Sequence, residues 1–129
     1  MVVDSSALIA ILEGESESRA FRDLIVAAEV CSISSATMFE TSMVVLARQG
    51  EDGMAELRDF VHDAAIEVVA FNAHHAELAL EAFRRFGKGR HPAALNFGDC
   101  FSYALSRSTG EPLLFKGEDF SRTDIKPAA

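Results

Sequence analysis

Short apolar runs alternate along this chain with longer amphipathic stretches. MVVD (1–4), VCSIS (30–34), IEVVAF (66–71) and PLLF (112–115) are brief runs rich in branched side chains. Each predicts a strand, because a few consecutive apolar residues bounded by polar ones or turn residues suit a buried sheet. Between them the apolar positions recur at helical spacing. Residues 5–13 start a helix that Ser5 or Ser6 can cap. Residues 15–29 place Phe21, Leu24, Ile25 and Ala28 on one face. A third helix runs from Ser34 or Ser35 to about Gln49, with Gly50 as its stop. Residues 54–64 (Met54, Leu57, Phe60, Val61) and 73–86 (Ala76, Leu78, Ala79, Ala82, Phe83, Phe86) repeat the same period. GKGRHPAALNFG, 87–98, reads as a loop, and 99–108 as a last helix closed by Gly110.

Strands alternating with helices predict parallel βαβ units. The expected fold is therefore an α/β, three-layer α/β/α domain with a mostly parallel central sheet, one domain over residues 1–129. In such sheets ligands sit outside the carboxyl ends of the strands. That rule gives meaning to four acids. Asp4 closes the first strand, Glu40 lies about two turns into the helix after the second, and Asp119 follows the last. With Asn96 as N-cap, Asp99 is the third residue of its helix, inside the positive first turn. Taken singly, each has a plainer role. Asp4 could be a turn or cap residue, Glu40 a solvated helix residue, Asp99 a helix-start stabiliser and Asp119 a turn cap.

Together at one sheet edge they would repel one another, and one or more would hold a proton unless a cation intervened. An all-oxygen donor set suits Mg²⁺, with Mn²⁺ as the alternative. Such an ion would bind a phosphate oxygen and activate water for phosphodiester hydrolysis.

Composition narrows the setting. At 129 residues with 49% hydrophobic content the chain can bury a real core. No apolar run approaches the ~18 residues that span a bilayer. No basic stretch precedes a long apolar one, so a cytoplasmic protein without membrane association is expected. Cys31 and Cys100 are then expected as buried thiols. The charge of −8 is uneven: residues 1–81 hold 15 acids against 4 bases, residues 82–129 hold 8 bases against 5 acids. The bulk field should repel nucleic acid, so a polyanion needs a local basic patch, a metal or both. RRFGKGRHP, 84–92, offers such a patch in Arg84, Arg85, Lys88 and Arg90, just ahead of Asp99. It reads as an RNA phosphate contact, with a solvated loop as the plainer reading. His74 and His75 point to different sides of a helix, which disfavours a shared metal and favours capping or surface roles. Met38, Phe39, Met43 and Val44 read as core or interface.

Four blocks, MVVDSSALIAIL, SSATMFETSMVV, ALNFGDCFSYAL and PLLFKGEDF, span nearly the whole chain. In that order and spacing they resemble the PIN-domain ribonucleases, and more narrowly the VapC toxins of bacterial type II toxin–antitoxin systems. The resemblance implies a metal-dependent endoribonuclease using Mg²⁺ or Mn²⁺, a cognate VapB-like antitoxin, and a homodimer. It carries Asp4, Glu40 and Asp99 over as catalytic acids and metal ligands, Glu40 through water, and Ser6 as a hydroxyl that supports them. An inserted antitoxin arginine is the expected plug for such an acidic site, by bidentate pairing with a carboxylate.

The fourth acid departs from the family pattern. Gly117 stands where many members have an acid, and Phe115 where many have a small hydroxyl residue. Asp119 is the nearest substitute, with Glu118 and Asp124 as further candidates. Two other readings remain. A non-catalytic nucleic-acid or protein-binding module on the same fold predicts a lost acid, and only the fourth position is altered. A phosphotransfer domain wants a second Asp two residues after the first, where this chain has Ser6, or an acceptor Asp ending a middle strand, where VVAFN has none.

Overall fold

A computed structural model describes residues 1–129. Four strands form one sheet: β1 (Val2–Val3), β2 (Cys31–Ser34), β3 (Ile66–Val69) and β4 (Leu113–Leu114). All pairings are parallel and the order is β3-β2-β1-β4. Val2 pairs with Ser32 on one side and Leu113 on the other. The chain thus winds outward from β1 through β2 to β3, then crosses back to place β4 on the far side of β1. The reversal of direction lies between β1 and β4. At such a switch point the crossover connections diverge to opposite faces and open a crevice at the strands' carboxyl ends.

Helices α1 (Ser5–Leu12), α2 (Ser18–Ala27) and α3 (Ser35–Asp63) belong to the first winding, and α4 (Ala73–Phe86) and α5 (Phe97–Thr109) to the second. The two-residue period of the strands divides the core accordingly. Val3, Ile33 and Leu114 pack with Leu8, Ile11, Phe21 and Leu57. Val2 and Leu113 pack with Ala82, Phe86, Tyr103 and Leu105. Three layers result, as the alternation of elements predicts.

The element ends differ from the sequence expectation by a few residues. Helix α2 is shorter than 15–29, and β3 stops at Val69. The region 35–63 is one helical run interrupted at Gly50, whose φ of 66° and ψ of −159° break the helix. The two expected helices are therefore real segments, separated by the residue expected to stop the first. A 3₁₀ turn, Phe120–Arg122, follows β4, and the C-terminal tail returns so that Pro127 bridges to Leu113. Cys31 and Cys100 are buried free thiols. No helix is long and apolar enough to cross a membrane.

Candidate active site

The helices that follow β1 and β2 begin at the carboxyl edge of the sheet, and their first-turn N–H groups leave partial positive charge there. The acids are set against this background. Asp4 is the N-cap of α1 and is 3% exposed. Its Oδ2 accepts from the Ser6 backbone N–H at 3.1 Å and the Ser6 hydroxyl at 2.6 Å. Its Oδ1 accepts from the Ser102 hydroxyl at 2.5 Å. Ser6 also ties the neighbouring strand in, since its Oγ accepts from the Lys116 backbone N–H at 3.0 Å. One carboxylate thus caps α1 and receives hydroxyls from both α1 and α5.

Asp99 shows the same economy. Asn96 caps α5 by accepting from the Asp99 N–H at 2.9 Å, and Asp99 Oδ2 accepts from the Asn96 N–H at 3.0 Å, a reciprocal capping box. Burial pushes the Asp99 carboxyl up to about 7, opposed by its bond to the Asn96 N–H and reinforced by the charges of Asp4 and Asp119 and a hydrogen bond with Asp119. Glu40 approaches from α3. Burial raises its carboxyl as well, and the charge of Asp4 adds to this against the nearby Ser5 hydroxyl. Its Oε1 is buried without a hydrogen-bond partner. Its Oε2 lies against the backbone of Gly98, where a Cβ would stand 1.8 Å from it. Only glycine at the second position of α5 leaves room for this carboxylate.

Among the three candidates for the fourth acid, Asp119 is the one whose charge reaches Asp99. Glu118 accepts from Ser121 instead. Asp124 is turned to the other end of α5, where it accepts from Tyr103 at 2.8 Å and pairs with Arg85 at 3.2 Å and Arg107 at 3.6 Å.

The basic segment is divided. Arg84 pairs with Glu81 at 2.8 Å and Arg85 with Asp124. Lys88 and Arg90 have no carboxylate partner, and the Arg90 guanidinium stands 5.8 Å from the Phe83 ring. His75 is not at the surface: it is 4% exposed with Nδ1 unpartnered, against Phe71. The expected capping at this helix comes from Asn72.

Sequence reasoning missed Ser102, Thr37 and Gly98. Ser102 had a signal, since it lies one turn after Asp99 and shares its face. Gly98 and Thr37 had none, because their importance comes from elements distant in the chain.

A protein-family model for the PIN domain matches residues 1–126. The chain belongs to the PIN domain family. Within it the match to VapC ribonucleases is close and complete in length. The ribonuclease VapC30 of Mycobacterium tuberculosis is 48% identical over 129 residues, covering 100% of this chain and 98% of that one. A ribonuclease VapC of Mycolicibacterium smegmatis is 47% identical over 125 residues, with 97% of each chain covered. The solved PIN-domain fold agrees too. The sarcin–ricin-loop-cleaving toxin VapC20 of M. tuberculosis superposes with a TM-score of 0.77 at 21% identity, over 96% of this chain and 95% of that one. VapBC2 of Rickettsia felis, solved bound to a DNA fragment from its promoter, gives 0.71 at 17% identity, over 98% and 94%.

Asp4, Glu40, Asp99 and Asp119 offer oxygen donors only, and one Glu40 oxygen is buried without a partner, a chemistry that suits a hard divalent cation. No three acidic, histidine or cysteine side chains stand close enough to form a ready-made cage. Mg²⁺ is commonly held by one or two carboxylates with water filling the other positions, so a fit needs direct bonds from only part of the set.

Proposed function

We propose that this protein is a metal-dependent endoribonuclease, the toxin of a VapBC-type pair, acting at the cleft between β1 and β4. One observation carries the reading: in a chain of the VapC ribonuclease family, Asp4 bears electrostatically on both Glu40 and Asp99, and Asp119 on Asp99, with no basic side chain paired to any of the four. Like charges held without a counter-charge are costly, and the cost is recovered when a cation binds.

Asp4 and Asp99 would hold a Mg²⁺ ion directly, with Mn²⁺ as a substitute, and Glu40 would reach it through water. When bound, the ion supplies charge neutralisation at the scissile phosphate and a more acidic water. The rest is done by the chain. Ser6 keeps Asp4 turned by bonding one of its oxygens. Asp119, exposed beside Asp99, is placed to accept a proton from water. Glu40 adds negative charge beside Asp4. Lys88 and Arg90, unpaired, are the better placed of the four basic residues to meet RNA phosphates, with Arg84 and Arg85 contributing from within their ion pairs.

Contacts between these bases and phosphates are salt-sensitive, because they release counterions condensed on the RNA. Its toxin role implies a VapB-like antitoxin that blocks the acidic cleft, and the cytoplasm, where RNA is found, as the site of action. The exposed stripe of Phe39, Met43 and Leu46 and the apolar groove of about 340 Å³ between α4 and α5 suit an antitoxin helix or a second copy in a homodimer.

The test is RNA cleavage with and without Mg²⁺ by wild type, Asp4→Asn and Asp99→Asn. Cleavage only by the metal-loaded wild type is expected. Equal metal-independent activity in all three would overturn the reading.

A further inference from the structure

The two oxygens of Asp4 are held from opposite sides of the molecule. Ser6, next to it in the chain, bonds Oδ2. Ser102, 98 residues away on α5, bonds Oδ1. Ser102 is 1% exposed, and its Oγ lies 3.4 Å from Oγ1 of Thr37 on α3, which is 0% exposed. A serine hydroxyl has a single proton to give. Ser102 gives it to Asp4, so the remaining contact must be donated by Thr37. The three side chains form one directed chain, Thr37 to Ser102 to Asp4, that ties α3 and α5 to the end of β1.

Such a chain is out of place in a core packed for stability alone. Buried hydroxyls add little net energy when bonded and cost about 1–3 kcal/mol when left unpaired. Its evident product is a fixed carboxylate. The terminal torsion of aspartate is broad and nearly two-fold, so a carboxylate bonded on one oxygen only can rotate. Bonding on both oxygens removes that freedom and fixes the direction of the lone pairs left over.

We infer that Ser102, oriented by Thr37, is a positioning residue that holds the Asp4 carboxylate in the orientation that receives the divalent cation. This rests on the reading of Asp4 as a cation ligand. The loss of a group that orients a ligand typically costs ~10–100-fold in metal affinity.

The experiment is titration of the metal-free protein with Mn²⁺, followed by electron paramagnetic resonance, with metal-free melting curves to confirm folding. Ser102→Ala is expected to weaken Mn²⁺ binding about 10-fold and to broaden the bound-ion spectrum. Thr37→Val, nearly isosteric, is expected to weaken it by less than Ser102→Ala does, and Thr37→Ser to keep wild-type binding. Asp4→Asn is the control and should lose the site. Should Ser102→Ala fail to fold, Thr37→Val and its rescue decide. Wild-type affinity in the serine and threonine variants, with binding lost in Asp4→Asn, overturns the positioning role alone. Wild-type protein that binds no Mn²⁺, or Asp4→Asn that binds like wild type, overturns the ligand reading and the positioning role with it.

Discussion

The two ends of α5 treat their acids in opposite ways. At its start, Asp99 sits beside Asp4 and Asp119 with no basic partner, and its carboxyl is pushed up to about 7. Toward its end, Asp124 also faces a burial penalty, but the Tyr103 hydroxyl, Arg85 and Arg107 outweigh it and hold the carboxyl below its ordinary value. Both are aspartates against the same helix. One has had its electrostatic demand met by the fold, and the other has been left with the demand open. That open demand is the one the proposed cation would meet.

The comparison breaks most visibly at the site. Asp99→Asn and Asp4→Asn should each reduce Mg²⁺-supported RNA cleavage by at least ~100-fold, more than losing a merely orienting group. For Asp99→Asn the metal-free melting temperature should hold or rise, because like charges have been removed, whereas Asp4→Asn should lower it, because an amide nitrogen cannot accept the hydrogen bonds that both Asp4 oxygens receive.

Next in size is Gly98→Ala. A Cβ there would stand 1.8 Å from Glu40 Oε2, so the carboxylate must move. Loss of about 1–3 kcal/mol of stability is expected from the overpacking, with a fall of ~10-fold in Mn²⁺ affinity measured by titration. Glu40→Gln in the same background should recover none of the affinity.

The pH dependence of stability sharpens the contrast, because the two acids act with opposite sign. Asp99 keeps in the native state a proton that the unfolded chain releases near its ordinary value of ~4. Its contribution therefore makes metal-free protein less stable as pH rises from ~4 to about 7, and is constant above. Asp99→Asn should flatten that decline, read as a metal-free melting temperature that no longer falls across this window. Asp124 gives stability that is fully present above its unfolded value and lost as pH falls through its lowered native one.

The smallest effect is Asp124→Asn at neutral pH. Its partners are partly solvated, so about 1 kcal/mol is expected from the ion pairs. RNA cleavage by the metal-loaded variant should stay within about twofold of wild type. A large loss of cleavage with intact folding would mean that the clasp also serves the site.

Much of this was legible in the chain. The strand runs, the helical periods, Asn96 as cap, Gly50 as a break and the acids themselves follow from local rules. A strand needs a short apolar run, and a helix start needs a side chain to satisfy its free N–H groups. These are decided within a few residues, which is why Asp4 and Asp99 could be placed on a sheet edge and a helix start beforehand.

What the sequence could not decide was which distant residues meet. Asp119, Glu118 and Asp124 lie within six positions, yet the first faces Asp99 and the last is clasped by arginines at the far end of α5. Arg84 and Arg85 look like free charges until Glu81 and Asp124 are found beside them. His75 looks like a surface residue until Phe71 covers it. The hydroxyls of Thr37 and Ser102 become a support for Asp4 only when α3 and α5 pack together over β1. Local propensity acts through neighbours a few residues apart, whereas a carboxylate's partners and proton affinity depend on distance and burial, which exist only once the sheet has closed and the helices have been laid on it.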